Sequence, residues 1–540
     1  MLEEINKEIN GIKKFINWVK QLFFSALNDY KDTSLTLKCS YSKTLVTGII
    51  ASCYLFFLSV LLGAPGIPVF TWWIVWGGFF IVIAKLFRFL SCKDFFQHCY
   101  SCSLPVYAIT TVTFTLYVIL LIVYGLRQSP DTIWQWEQVL QASFDDWHPV
   151  IHTYSIYLLS NICKSGWFVA VCFISFFAIL CGWLTASMKL YSYPCGIIWG
   201  VMLLIISSPV NLYAFRILLK DTAFLVAVFY ISICMLHLWH TQGQWLLKIQ
   251  HCVPLFLIVF YASFVRHNGI FFTIPFLFFL PILAKKTKIR RFLFIFSILS
   301  LLSLGGYFHL RNVMLHHNII HQKTKQGLVE SVGLPMSMIL QAYVFTPDKL
   351  SPDTIAFIRK IFPEKTLYHY PGDFNFVKFQ AIDKILNDFQ HVSVKDFAKI
   401  FRDVLINCPI PACSALLYVT EVAWNPFFTM RINVGFCDDL YYSEILRKTK
   451  FACIWQSPGL YICLLIIAGL FSYLKYGWKF LPLVSPFVAY TYGTALLLSG
   501  HDLRFFWAIT ASAPIIIIAL ISGIYSSEQT VSCACEDNSN

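Results

Sequence analysis

The chain has 540 residues, of which 58% are hydrophobic, 17% aromatic and only 13% charged. A soluble globular protein carries about 25% charged residues, so a soluble enzyme or binding module is excluded and a polytopic membrane protein is expected. The net charge of +13 would suggest a nucleic-acid partner in a soluble chain; here it reads as Lys and Arg held at the cytoplasmic face, with no nucleic-acid partner.

Residues 1–44 set Lys7, Lys13, Lys14 and Lys20 among Ile5, Ile9, Ile12, Phe15, Ile16 and Val19 at helical spacing. That pattern suits an amphipathic helix on the inner leaflet, or a cytosolic tail, and it lacks the features of a signal peptide. Apolar runs of bilayer-crossing length then predict about a dozen helices. They fall near 45–63, 67–87, 104–126, 166–187, 196–213, 222–239, 252–265, 270–284, 292–309, 456–474, 481–499 and 505–524. The expected fold class is therefore an all-α polytopic membrane protein. Its transmembrane core spans 45–309, with an outer loop at 127–165, and its C-terminal helices occupy 456–524 before a cytoplasmic tail at 525–540. Between them, 310–455 has ordinary globular composition and reads as a mainly helical extracytoplasmic insert. Within it, DTIAFIRKIF (353–362) and VKDFAKIFRDVLI (394–406) show helical periodicity.

Lys285, Lys286, Lys288, Arg290 and Arg291 crowd one turn, which should be cytoplasmic. With twelve spans, Lys85, Arg88, Lys93, Lys189, Lys248, Lys475, Lys479 and both termini join that side. The polar clusters at the other span ends then share the outer face. Most of the eighteen cysteines lie in apolar runs, among them Cys53, Cys172, Cys181, Cys234 and Cys463, where they act as small hydrophobes. Cys533 and Cys535 in the tail read as surface thiols. Gly305 and Gly306 in one span are expected to let helices pack closely.

Ionisable groups are costly at a membrane surface or in a cavity, so those of the outer face are functional candidates. Asp145 and Asp146 follow Trp134 and Trp136 and precede Trp147. One carboxylate of such a pair can serve as a general base, and the other can orient an acceptor or hold a divalent cation such as Mg or Mn. The alternative is a pair capping the helix that begins near His148. His148 and His152, at i and i+4, share one helical face. As metal ligands the two histidines need a third partner, which Asp145 or Asp146 could supply, and Asp145, Asp146 and His148 are the other candidate metal set; the alternative is a solvated or hydrogen-bonded histidine pair. Lys220 with Asp221, Arg266 with His267 and Asn268, and Arg504 with His501 and Asp502 sit at outer span ends. Cations there suit a lipid-linked phosphate. Snorkelling to headgroups, or pairing of Asp502 with Arg504, is the competing account.

These residues carry a resemblance. An acidic loop after an early span, followed by HP-V-x-HT, resembles the GT-C superfamily of polytopic glycosyltransferases, and within it an uncharacterised bacterial branch. The likeness lies in FDDWHPVIHT (144–153), KDTAF (220–224), RHNGIF (266–271), LPMSMILQAYVF (334–345), LSPDTIAFIRKIFP (350–363) and DLRFFW (502–507). The chain departs from the pattern at Trp147, where the branch often has His or Asp, and in RHNG, where Arg-Asn-Asn-Gly is more usual. The resemblance implies an inverting transferase of the bacterial cytoplasmic membrane with an outward-facing active site. Its donor is a polyprenyl-phosphate sugar and its acceptor is not identified. It maps the catalytic acidic residue to Asp145 or Asp146; the reading of the residues themselves adds His148 to the catalytic set and gives substrate binding to His152, Lys220, Asp221, Arg266, His267, Asn268, Asp502 and Arg504. A transporter or lipid-linked-sugar flippase of similar span number is the alternative expectation, as is a non-catalytic relative.

Overall fold

The computed structural model describes residues 106–127, 129–145, 148–317, 319–321, 332–363, 367, 372, 374, 377–378, 382–389, 391–426, 453–497 and 503–523. The expected amphipathic segment, the first two spans, the tail, Asp146, Trp147, His501 and Asp502 lie outside them.

The described chain is helical. In order it forms α1 (Val106–Tyr124), α2 (Pro130–Gln141), α3 (Val150–Ser160), α4 (Gly166–Leu190), α5 (Cys195–Ile206), α6 (Pro209–Ala214), α7 (Lys220–His240), α8 (Ile249–Phe264) and α9 (Ile270–Phe279). The long α10 (Thr287–His316) leads to α11 (Gly333–Phe345), α12 (Pro352–Ile361), α13 (Ile382–Phe389), α14 (Val394–Asn407) and α15 (Pro409–Trp424). The chain ends in α16 (Pro458–Tyr476), α17 (Leu481–Ala495) and α18 (Trp507–Ser522).

A Ser-Pro pair opens several of these helices. Ser129, Ser208, Ser351 and Ser457 each accept a hydrogen bond from the backbone N–H three residues on, and the proline that follows supplies a helical φ where no N–H is needed. At the far end of α1, Arg216 donates from Nε to Gly125 O at 3.1 Å and from Nη2 to Tyr124 O at 2.5 Å, satisfying carbonyls that the helix leaves open. Arg127 pairs beside it, its N–H donating to Arg216 O at 2.9 Å.

Helix α7 is the centre of the bundle. It is apolar on every side and almost wholly buried, as a helix without a polar face must be. It packs most extensively on α18 and also on α4 and α8. Helices α1 and α10 are equally apolar but mostly exposed, with Tyr107, Ile122, Phe294, Ile295 and Leu302 facing outward. An apolar exposed surface of that extent is what a lipid-facing helix presents.

Among the described residues, six stretches are long and apolar enough to cross a membrane, or seven if α14 and α15, bent by 106°, count as one broken span. One of the six, Pro458–Ala495, is two helices. Gly477 takes φ 62° between them, and a Cβ on Gly469 would lie 2.8 Å from the Phe480 ring, so α17 folds back on α16. Several expected spans are shorter apolar helices, α5, α8 and α9 among them. The span over 196–213 breaks at Ser207 into α5 and α6. Gly305 and Gly306 have no neighbour within 4 Å of a built Cβ, so they bring no helix close.

The insert joins the bundle through apolar helices. α15 packs on α11 on one side and on α16 and α17 on the other, while the two periodic stretches become α12 and α14. Asp403 of α14 ties α12 down: its Oδ2 accepts from Ser351 N, Ser351 Oγ and Thr354 Oγ1 at 3.1, 2.8 and 2.6 Å. The insert is thus polar at its rim and apolar where it meets the bundle, which its average composition conceals.

The two ends of α7 differ. Near its N-terminus lie Arg266 at the end of α8, Arg504 before α18, and His148 before α3. Toward its other end a Cβ on Gly243 would meet Leu293 and Ile289 of α10, and Lys479 lies within electrostatic reach of Lys285 and Arg290.

Candidate functional site

The residues singled out along the sequence come together at the N-terminus of α7. Lys220 opens that helix, and its Nζ donates to His148 Nδ1 at 3.1 Å. Arg504 pairs with Asp131 of α2, Nη1 to Oδ2, at 3.2 Å. Arg266 pairs with Asp221, and the two side chains are only 4% and 1% exposed. Residues far apart in sequence thus form one cluster of opposite charges, buried at the Arg266–Asp221 pair and partly exposed at Arg504 and Asp131.

Local backbone geometry places Arg266. A Cβ on Gly269 would sit 2.1 Å from Ala262 O, so only glycine allows the turn 265–269 to close against α8. Asn268 Nδ2 then donates to Thr494 Oγ1 of α17 at 2.7 Å, fixing the turn. Arg266 also donates to Phe505 O at 3.3 Å, and its guanidinium lies 4.3 Å from the Phe505 ring centre. Tyr490 donates to the same carbonyl at 2.8 Å. With its donors and its face engaged in this way, Arg266 is a poor candidate for a free phosphate fork, and it does not snorkel either. His267 beside it is exposed. Among the described residues, the cation of the cluster with no carboxylate partner is Lys220.

Electrostatics set the protonation states. Burial, and then the Lys220 ammonium, push the His148 imidazole down from 6.5 to about 3, so it is neutral near pH 7. Nδ1 accepts from Lys220, which leaves the proton on Nε2. Burial lowers His152 to about 4; its Nε2 lies 3.5 Å from Leu218 O and its buried Nδ1 has no hydrogen-bond partner. For Asp131, burial alone would raise the carboxyl. Lys220 and Arg504 outweigh it and hold Asp131 below the ordinary carboxylate value. Asp221 Oδ2 is also buried without a hydrogen-bond partner. Buried polar atoms left open are uncommon in native proteins and mark places where water or a ligand completes the site.

Asp145 stands apart from this cluster. Trp134 Nε1 donates to its Oδ2 at 2.9 Å, its own N–H donates to Gln138 Oε1 at 3.1 Å, and it pairs with His321 across a short parallel bridge. The helix after it begins at Pro149 without a side-chain cap, so Asp145 does not cap α3. His148 precedes that helix; it and His152 are both buried, but they do not share a helical face. Among the described residues no three His, Cys, Asp or Glu side chains gather closely enough to hold a metal ion. His148, facing an ammonium, is poorly placed as a metal ligand.

Asp131 went unnoticed in the sequence because Ser-Pro-Asp is an ordinary helix start, with the acid favoured by the helix dipole. The one available signal was its position in the same inter-span segment, 127–165, as Asp145. Comparisons of the chain with protein-family models, with curated proteins and with solved structures found no match.

Proposed function

We propose that the chain is a membrane glycosyltransferase of GT-C type, which moves a sugar from a polyprenyl-phosphate donor to an extracytoplasmic acceptor. The observation that carries this reading is the convergence of Lys220, Arg504 and Arg266 with neutral His148 at one end of a bundle of apolar helices. Among the described residues, three cations against Asp131 and Asp221 leave one positive charge. A polyprenyl-phosphate sugar is a phosphodiester with one negative charge, so donor and cluster neutralise each other.

The chemistry follows from that balance. The acceptor hydroxyl loses its proton to a carboxylate as its oxygen bonds to the anomeric carbon. The carbon–oxygen bond to phosphate breaks, and its electron pair leaves on the polyprenyl phosphate, which gains a second negative charge. Lys220, held by His148 and free of a carboxylate contact, meets that growing charge in a low-dielectric setting where a fixed cation is most effective. Asp145 is the described carboxylate suited to the base role. Asp131, engaged by Arg504 and lowered in pKa, is the weaker base and serves as counter-charge.

The lysine- and arginine-rich end of the bundle supports a cytoplasmic placement of that end, with the cluster outward in a bacterial cytoplasmic membrane. The test is reconstitution into liposomes, with mass spectrometry of lipid-linked and acceptor-bound sugars with and without the protein. Transfer that disappears in Lys220→Met supports the reading. Lipid that crosses the bilayer with its sugar bond intact would instead make the chain a flippase.

A further inference from the structure

Helix α2 contributes side chains to two sets of polar contacts. Asp131 and Gln135, one turn apart, face the charge cluster and α3, where Gln135 Nε2 donates to Thr153 Oγ1 at 3.1 Å. Trp134, Gln138 and Gln141, spaced at i, i+4 and i+7, line a cleft of about 380 Å³ that also takes in Asp145 and His321. The wall from His321 is built by tertiary structure: its N–H donates to Phe144 O at 3.0 Å, joining the chain after α10 to the turn after α2.

Gln138 is the informative residue. It is 6% exposed, its Oε1 is taken by the Asp145 N–H, and its buried Nε2 has no partner. A buried amide donor left open is destabilising, and a ligand oxygen placed there would remove that cost. Around it the cleft offers the carboxylates of Glu137 and Asp145 as acceptors and the half-exposed Trp134 ring as a flat wall. Two carboxylates repel a phosphate, and the polar lining repels a lipid tail. A neutral, hydroxyl-rich ring can donate to the carboxylates, accept from Gln138 and lie against the indole.

We infer that this cleft binds the acceptor, and that the acceptor is a carbohydrate or similar polyol whose reacting hydroxyl lies at Asp145. The inference rests on the transfer reading for the role of Asp145 but not for the binding itself. Saturation-transfer NMR of the full-length protein in nanodiscs, with glucose, mannose, galactose and N-acetylglucosamine as probes, tests it directly. At least one sugar binds saturably. Gln138→Leu and the exposed Glu137→Gln, each checked for an unchanged melting temperature, weaken that binding by about tenfold or more, the size of one lost hydrogen bond. Tyr193→Phe, at the other end of α7, leaves it unchanged. Absence of saturable binding for all four sugars, or equal binding in both cleft variants, overturns the inference. Sugar binding without any detectable transfer would overturn the transferase reading and leave the cleft assignment standing. Transfer without sugar binding would do the opposite.

Discussion

The two ends of α7 bury polar side chains in opposite ways. At the C-terminal end the groups are neutral and chained. Ser522 donates to Ala519 O and so accepts from Tyr193, which accepts in turn from His240 Nε2 at 2.8 Å. Ser187 donates to Trp183 O and accepts from His237 Nε2, whose Nδ1 accepts from Tyr191 at 2.8 Å. This chain pins α4, the turn after it and the end of α18 to the central helix. At the N-terminal end the groups are charged and paired across four segments. Buried polar atoms stand open at both ends, Trp239 Nε1 at one and His152 Nδ1 and Asp221 Oδ2 at the other, so charge is what distinguishes them. A neutral chain with its protons placed is a structural clasp. A charged cluster is costly to maintain unless something binds there.

Breaking the buried pair should have the largest effect. Arg266→Met leaves the Asp221 carboxylate uncompensated, and thermal unfolding in detergent should show a loss of about 3–5 kcal/mol. A small change in melting temperature would mean that Asp221 takes up a proton or finds water, and that the end is less sealed than its burial indicates.

Next come losses of turnover without loss of fold. Asp145→Asn keeps size and most hydrogen bonding but removes the base, and transfer should fall at least about 10²-fold. Lys220→Met should reduce transfer by a similar order, with donor binding weakened as well. If both variants keep full activity and a normal melting temperature, the N-terminal end is a clasp like the other.

At the C-terminal end the expectation reverses. Tyr193→Phe removes a link between His240 and Ser522, costing about 1–2 kcal/mol in stability, with transfer by the folded fraction unchanged. A turnover defect at full stability would show that this end also acts in the reaction.

The smallest effect is on pH dependence. His148 and His152 fall to about 3 and about 4 when folded, against 6.5 for a free histidine. The unfolded chain therefore takes up protons below about pH 6.5 that the folded chain refuses. Stability is full above that pH and declines as pH drops toward the folded values. His148→Gln should make this acid limb shallower in melting curves recorded between pH 7 and pH 4. An unchanged limb would place His148 in contact with solvent.

Much of the fold was legible along the chain. Long apolar runs, Ser-Pro starts and the two periodic stretches of the insert follow from bilayer length, capping and helical period, all of them local. Their boundaries shifted where local features are ambiguous: the run at 196–213 breaks in two, and α15 is apolar inside a segment that is polar on average. The candidate residues Lys220, Asp221, Arg266 and Arg504 were also visible, because charge stands out in an apolar chain.

Partnership was not visible. No spacing in the sequence joins Arg266 to Asp221, Arg504 to Asp131 or Lys220 to His148, since each pair spans different helices and depends on how α7, α8 and α18 pack. Packing assigned Arg266 to a buried pair, left Lys220 without a carboxylate, and drew Asp131 from an ordinary helix start into the cluster. It also set Asp145 against His321, a residue from beyond α10. The sequence determined by itself which segments are helical and apolar and which side chains are too costly to be incidental. The tertiary structure alone decided which charges neutralise one another, because that depends on distances across the bundle that no local pattern encodes.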